Sequence, residues 1–151
     1  MKILKIEIVN NKPKKIDGLL RCKGKITIGK FSEGFYMRLN SWDIEQYKSQ
    51  WREGLERIKT HKSSCLIADI STWENNGIGM QIYYLYKVDN KILVQYQMYA
   101  PSIFEDLLKD PLPFDPFNNE KRYINIPPIE LIDEDGNNLE IWEADLDGIV
   151  S

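Results

Sequence analysis

Two runs of alternating apolar residues flank the dipeptide Asp89-Asn90, and they constrain the fold more than any other feature of the chain. Met80, Ile82, Tyr84, Tyr86 and Val88 alternate on one side; Ile92, Val94, Tyr96 and Met98 alternate on the other. A period of two puts successive side chains on opposite faces of a strand. A two-residue loop of Asp and Asn, which both tolerate positive φ, closes such strands through a type I′ turn. Pairing 88 with 91 then puts Tyr83 and Leu85 on one face with Val94 and Tyr96. Ile82, Tyr84 and Tyr86 share the other face with Leu93, Gln95 and Gln97. A chain built around this hairpin must form a sheet with aromatics on both faces.

One segment follows a different period. Ile44, Tyr47, Trp51, Leu55 and Ile58 recur at spacings of 3, 4, 4 and 3, a single apolar stripe. It predicts a helix over about 42–59, with Asn40 or Ser41 as N-cap. Asp43 and Glu45 fall in the first turn and Arg57 and Lys59 in the last, as the helix dipole prefers. Glu53 and Arg57 are spaced as an i,i+4 pair. Gly54 costs about 1 kcal/mol against Ala inside a helix, so close packing against a neighbour is expected there. His61 follows as a C-terminal cap.

Short alternations predict further strands at 3–9, 25–29 and 35–39, the first broken at Asn10-Asn11-Lys12-Pro13. Leu66-Ile67-Ala68-Asp69-Ile70 is nearly all apolar, which fits a strand in the middle of a sheet. Strands at 129–132 and 139–142 are joined by Asp133-Glu134-Asp135-Gly136-Asn137-Asn138, a hairpin signal. Ser102–Leu108 fits a short helix. Three prolines make the following segment, up to about 122, an extended loop. No repeat or linker divides the 151 residues. The expectation is one α+β domain over 1–151, mostly antiparallel β-sheet with one main amphipathic helix packed on one face.

Catalytic constellations lack their parts. The chain has one histidine and two distant cysteines, Cys22 and Cys65, which read as buried free thiols and fall short of a usual zinc set. Gly77-Ile78-Gly79 lacks the remainder of a dinucleotide or phosphate loop. In Asp133–Glu140 the glycine comes too early for a calcium loop, so a turn is the better reading. We therefore expect no enzyme, no metal and no cofactor. The N-terminal stretch is interrupted by Lys5 and Glu7, unlike an export signal, and no run suits a membrane helix, so a cytoplasmic protein without membrane contact is expected.

Charge is divided unevenly. Residues 1–62 hold 15 Lys/Arg and 7 Asp/Glu, whereas residues 63–151 hold 5 and 16. Such asymmetry suggests a charged partner. The basic part, with Lys12, Lys14, Lys15, Lys23, Lys25 and Lys30, carries no recognisable nucleic-acid module.

The run Trp42-x4-Tyr47-x2-Gln50-Trp51-x3-Leu55-x2-Ile58 resembles the contact-dependent growth inhibition immunity proteins of the CdiI type. The strand ending Ile28-Gly29-Lys30-Phe31, the segment Cys65–Ile70, the hairpin Tyr83–Met98 and the acidic Trp-bearing segment Glu140-Ile141-Trp142-Glu143 extend the resemblance over 24–145. It implies a non-enzymatic partner of the cognate CdiA C-terminal toxin domain, a basic nuclease whose active site the protein covers. Acidic residues would meet a cleft built for phosphates, which makes Asp133, Glu134, Asp135, Glu143, Asp145 and Asp147, with Trp142 beside them, the expected partner-binding residues. The proline loop at 110–122 is a second interface candidate. The competing reading is a small-ligand or nucleic-acid binding domain that uses the aromatic hairpin face at Tyr84 and Tyr86.

Overall fold

The computed structural model describes residues 1–73, 77–103 and 115–151. Among these residues, eight strands form two four-stranded sheets that pack with one α-helix. Strands β1 (Leu4–Ile16), β2 (Leu19–Ile28) and β3 (Phe31–Arg38) make an antiparallel meander, and β8 (Ile149–Val150) joins it parallel to β1, giving the order β3-β2-β1-β8. Strands β4 (Ser63–Thr72), β5 (Gly77–Val88), β6 (Lys91–Ile103) and β7 (Trp142–Asp145) lie in sequence order in the second sheet, all antiparallel. The α+β expectation holds, with the strands divided between two sheets where the sequence suggested one.

The hairpin register is the one the alternation predicts: Val88 faces Lys91, Leu85 faces Val94, Tyr83 faces Tyr96 and Tyr84 faces Gln95. Only Asp89 of the turn has positive φ (55°), and the Asn90 carbonyl accepts the Leu146 N–H at 2.8 Å. β1 runs on past Asn10–Pro13, where the sequence suggested a break. Register shifts between Ile8 and Asn10 and between Asn10 and Lys14 take up Pro13, the setting in which a strand tolerates a residue without N–H. The strand turns instead at Asp17-Gly18, with φ of 52° and 81°.

The helix α1 spans Ile44–Ile58 and is capped by Asp43, not by Asn40 or Ser41. Asp43 and Gln46 form a reciprocal capping box, and Trp42 before the cap packs edge-on against Tyr47 at 5.3 Å, a hydrophobic staple. Asn40 and Ser41 hold the end of β4 instead: Asn40 Nδ2 donates to Thr72 O at 3.1 Å and Thr72 N donates to Ser41 Oγ at 3.0 Å. The Glu53–Arg57 pair gives way to longer-range partners. Glu53 lies 3.9 Å from Arg122 Nη1, and the Arg57 guanidinium sits 4.5 Å over the Tyr123 ring.

The core lies between the sheets and under α1, with Leu4, Ile26, Met37, Tyr47, Ile67, Ile82 and Tyr83 fully buried. β4 is buried on both faces as its composition predicts, yet it is an edge strand of its ladder and not a central one. What covers its free edge is side chains from α1. Gln50 Oε1 accepts from Ile67 N at 3.0 Å, while Gln50 Nε2 and Trp51 Nε1 donate to Ile67 O at 2.7 and 2.8 Å. The Tyr47 hydroxyl accepts from Ile70 N at 3.0 Å and donates to Arg38 O at 2.7 Å. Beside it Arg38 and Asp69 tie β3 to β4 in a charge-assisted pair, with Nε 3.1 Å from Oδ1 and 2.9 Å from Oδ2, and Nη2 2.7 Å from Oδ2. A Cβ at Gly54 would overlap the Cys65 carbonyl oxygen and lie 2.9 Å from Leu66 Cδ2, so the helix sits too close to β4 for any side chain there.

The strand expected at 129–132 is absent. That hairpin shrinks to an isolated bridge between Ile132 and Asn138, and the strand that follows begins at Trp142. The short helix expected at Ser102–Leu108 falls on β6 up to Ile103 and otherwise lies outside the described residues. Among the described residues no helix is long and apolar enough to cross a membrane.

Candidate functional site

β7 pairs with β6 only over Lys91–Val94, and β6 then runs on past it. In the space so left, the chain between 130 and 140 folds back over β6. Gln95 fixes it: Gln95 Nε2 donates to Glu130 O at 2.6 Å, and Glu130 N donates to Gln95 Oε1 at 3.0 Å. Between this segment and β6 lies a cleft of about 510 Å³ lined by Gln95, Tyr96, Gln97, Glu130, Asp133, Glu134, Asp135, Leu139, Glu140 and Trp142. Five of these residues are acidic and none is basic.

The cleft brings together four of the seven residues expected to bind a partner, in different roles. Asp133 organises the turn. Its Oδ1 accepts from Asp135 N at 2.9 Å and from Asn137 N at 2.8 Å, while its backbone N–H reaches Asn137 O. The Asp carboxylate thus mimics a backbone acceptor, and Gly136 takes the positive φ of 84° that the turn needs. Glu134 and Asp135 are exposed at its tip. Trp142 is half-buried, with its ring stacked on Phe31 at 4.4 Å and 16°, which fixes one wall. Burial raises the Tyr96 phenol above its ordinary pKa, with Glu33 adding to the effect, so that wall stays neutral.

The other three lie apart from the cleft. Glu143 pairs with Lys91 and, at 3.7 Å, with Lys2; the Lys91 ammonium holds its carboxyl below the usual range. Asp145 Oδ2 accepts from Lys2 N at 2.7 Å, which ties the start of the chain to β7. Asp147 sits exposed in the 3-10 turn before β8. Sequence reasoning grouped all seven by proximity in the chain, and it missed Glu130 and Glu140, whose single acidic letters among apolar neighbours carried no signal.

The aromatic hairpin face of the competing reading is not open. Tyr84 is 3% exposed with its hydroxyl on Tyr99 at 2.7 Å, and the Tyr86 hydroxyl donates to Pro127 O at 2.7 Å. Burial drives both phenols upward, Tyr86 to about 12. The segment 122–130 of the same chain thus covers the surface a ligand would use. Of the proline loop, 110–114 lies outside the described residues. The part from 115 is fastened to the start of α1: Arg122 Nε donates to Pro116 O at 2.8 Å, its guanidinium lies 5.3 Å over Trp42, and Phe117 packs edge-on on the same ring.

No curated protein sequence matches the chain. Its structure is similar to a chain of the CdiA-CT/CdiI toxin and immunity complex from Enterobacter cloacae, with a TM-score of 0.71 and 26% identity over 96% of this chain and 92% of that one. The sequence profile of the CdiI N-terminal domain matches residues 37–151, from the end of β3 through α1 and the second sheet to β8. The chain therefore belongs to the CdiI N-terminal domain family.

Proposed function

We propose that this protein is an immunity protein, which binds the C-terminal toxin domain of a contact-dependent growth inhibition effector and neutralises it without catalysis. The family and the likeness to a toxin and immunity complex support this role. The observation that carries the finer reading is the acidic cleft beside β6. Its rim of Glu130, Glu134, Asp135 and Glu140 offers carboxylates spaced around a rigid aromatic wall, as a positively charged surface requires. A nuclease toxin presents such a surface, since its cleft is built to hold phosphates. Carboxylates docked there speed association by electrostatic attraction and block the active site by occupancy. A cationic side chain entering the cleft would also meet the Tyr96 and Trp142 rings that line it. The expected site of action is the cytoplasm, where the toxin would act.

The test is growth of cells that produce the toxin domain of the effector encoded beside this protein, with and without the protein itself. Rescue of growth with co-purification of a stable complex is the expected result. Continued killing with no complex would remove the immunity reading.

A further inference from the structure

The outer face of the first sheet carries the opposite charge to the cleft. β2 alternates: Cys22, Gly24, Ile26 and Ile28 are buried, while Arg21, Lys23, Lys25 and Thr27 point outward. The register carries that face across both neighbouring strands. Arg21 stands opposite Lys14 of β1 and Arg38 of β3, Lys23 opposite Asn10 and Tyr36, and Lys25 opposite Glu7 and Gly34. Tyr36 is 47% exposed. Lys12, Lys14 and Lys15 are exposed toward the β1–β2 turn.

Little within the protein offsets this charge. Glu7 lies 3.6 Å from Lys5, Glu33 points inward and accepts from the Tyr83 hydroxyl at 2.7 Å, and Asp17 sits in the turn. Arg38 is held by Asp69. Among the described residues Lys12, Lys14, Lys15, Lys23 and Lys25 have no ion-pair partner. Like charges directly opposite each other in a ladder, as Lys14 and Arg21 are, lower stability. A bound polyanion would offset that cost.

The residue types on the face separate the kinds of polyanion. Protein interfaces are depleted in Lys, whereas phosphate backbones are held by Lys and Arg alike. Here the cations recur at every second residue of β2, about 6.6 Å apart. Beside Lys23 stands the exposed ring of Tyr36, on which an unpaired base can stack. We infer that the outer face of the β1–β3 sheet binds single-stranded nucleic acid, holding its phosphates on Lys14, Arg21, Lys23 and Lys25 and one base on Tyr36. Such contacts go to the backbone and a ring face and need no module that reads base edges. The family profile begins at residue 37, after this surface. The cleft wall at Trp142 stacks on Phe31, which pairs with Ile28, seven residues along β2 from Arg21 or about 23 Å. The two sites are therefore separate, and this inference does not depend on the immunity reading.

Fluorescence polarisation of a labelled single-stranded RNA of about 16 nucleotides, titrated with the intact protein over a range of salt, tests it. Binding should weaken with salt, the slope of log K against log salt being about −0.7 for each phosphate contacted. Lys14→Gln with Lys23→Gln should weaken binding by about tenfold or more and make that slope shallower by about 1.4. The free variant should melt at or above the wild-type temperature, because a like-charge contact is gone. Tyr36→Ala should weaken binding by about fivefold or more and leave the slope unchanged. No binding at low salt, or wild-type affinity in both variants, overturns the inference. Polyglutamate that binds as tightly as the RNA, with no effect of Tyr36→Ala, would make the face a general anion surface and overturn it as well. A lysine variant that keeps its RNA affinity and loses affinity for the toxin domain would assign the face to a protein partner, which also overturns it.

Discussion

At the scale of single residues, side chains whose types suggest one role often serve another. Asp133 looks like an interface acid but spends its carboxylate on two backbone N–H groups of its own turn. Gly54 looks like a defect in a helix but allows α1 to rest on the Cys65 carbonyl. Gly54→Ala would raise helix propensity by about 1 kcal/mol in a free helix. Here it should lower stability by about 1–3 kcal/mol, because the added methyl meets backbone that cannot move aside cheaply; urea unfolding measures it, and a stabilised variant would refute the close contact. The thiols behave as their burial dictates. Burial pushes Cys65 up to about 12 and raises Cys22 as well. Both groups should therefore remain protonated and unreactive toward a disulfide reagent at pH 8 in the folded protein, and react at once in denaturant.

At the scale of elements, the unusual feature is an edge strand finished by a helix. β4 has β5 on one side and, on the other, the amide of Gln50, the indole N–H of Trp51 and the hydroxyl of Tyr47. The spacing Tyr-x2-Gln-Trp puts these three groups on successive exposures of one helix face, where they act as a missing strand would. This explains why polar Gln50 sits inside an otherwise apolar stripe, 2% exposed. Gln50→Ala would leave the Ile67 N–H buried without its acceptor, which costs about 1–3 kcal/mol. A thermal melt and faster exchange of the Ile67 amide would show it. A variant as stable as the wild type, with Ile67 still protected, would mean that water or a shift of the helix replaces the amide. The helix itself was legible from its period, and its start was not: several good caps stand in a row, and the β3–α1 connection decides among them by drawing Asn40 and Ser41 to Thr72.

At the scale of the whole molecule, the division of charge along the chain becomes a division in space. Lys12, Lys14, Lys15 and Lys23 are exposed on the β1–β2 meander, while Glu134, Asp135 and Glu140 surround the cleft beside β6. Glu134→Lys with Asp135→Lys should leave the fold intact, since Asp133 keeps the turn. It should slow association with the toxin domain by about tenfold or more at low salt, with the difference shrinking as salt rises. Stopped-flow mixing measures this, and equal rates at low ionic strength would remove the turn from the interface. What the sequence determined by itself is what depends on neighbours in the chain: the α1 period, the β5–β6 hairpin and its register, and the tight turn at Asp133–Asn138. Only the tertiary structure decided how the strands divide into two sheets, that β4 ends a ladder, that Tyr84 and Tyr86 are covered by 122–130, and that Glu130 and Glu140 join the acidic cleft while Glu143 and Asp145 turn to Lys91 and Lys2. Those outcomes depend on which distant groups meet. The meeting is governed by burial and by the need to pair every backbone group at a sheet edge, conditions that no local window of residues contains.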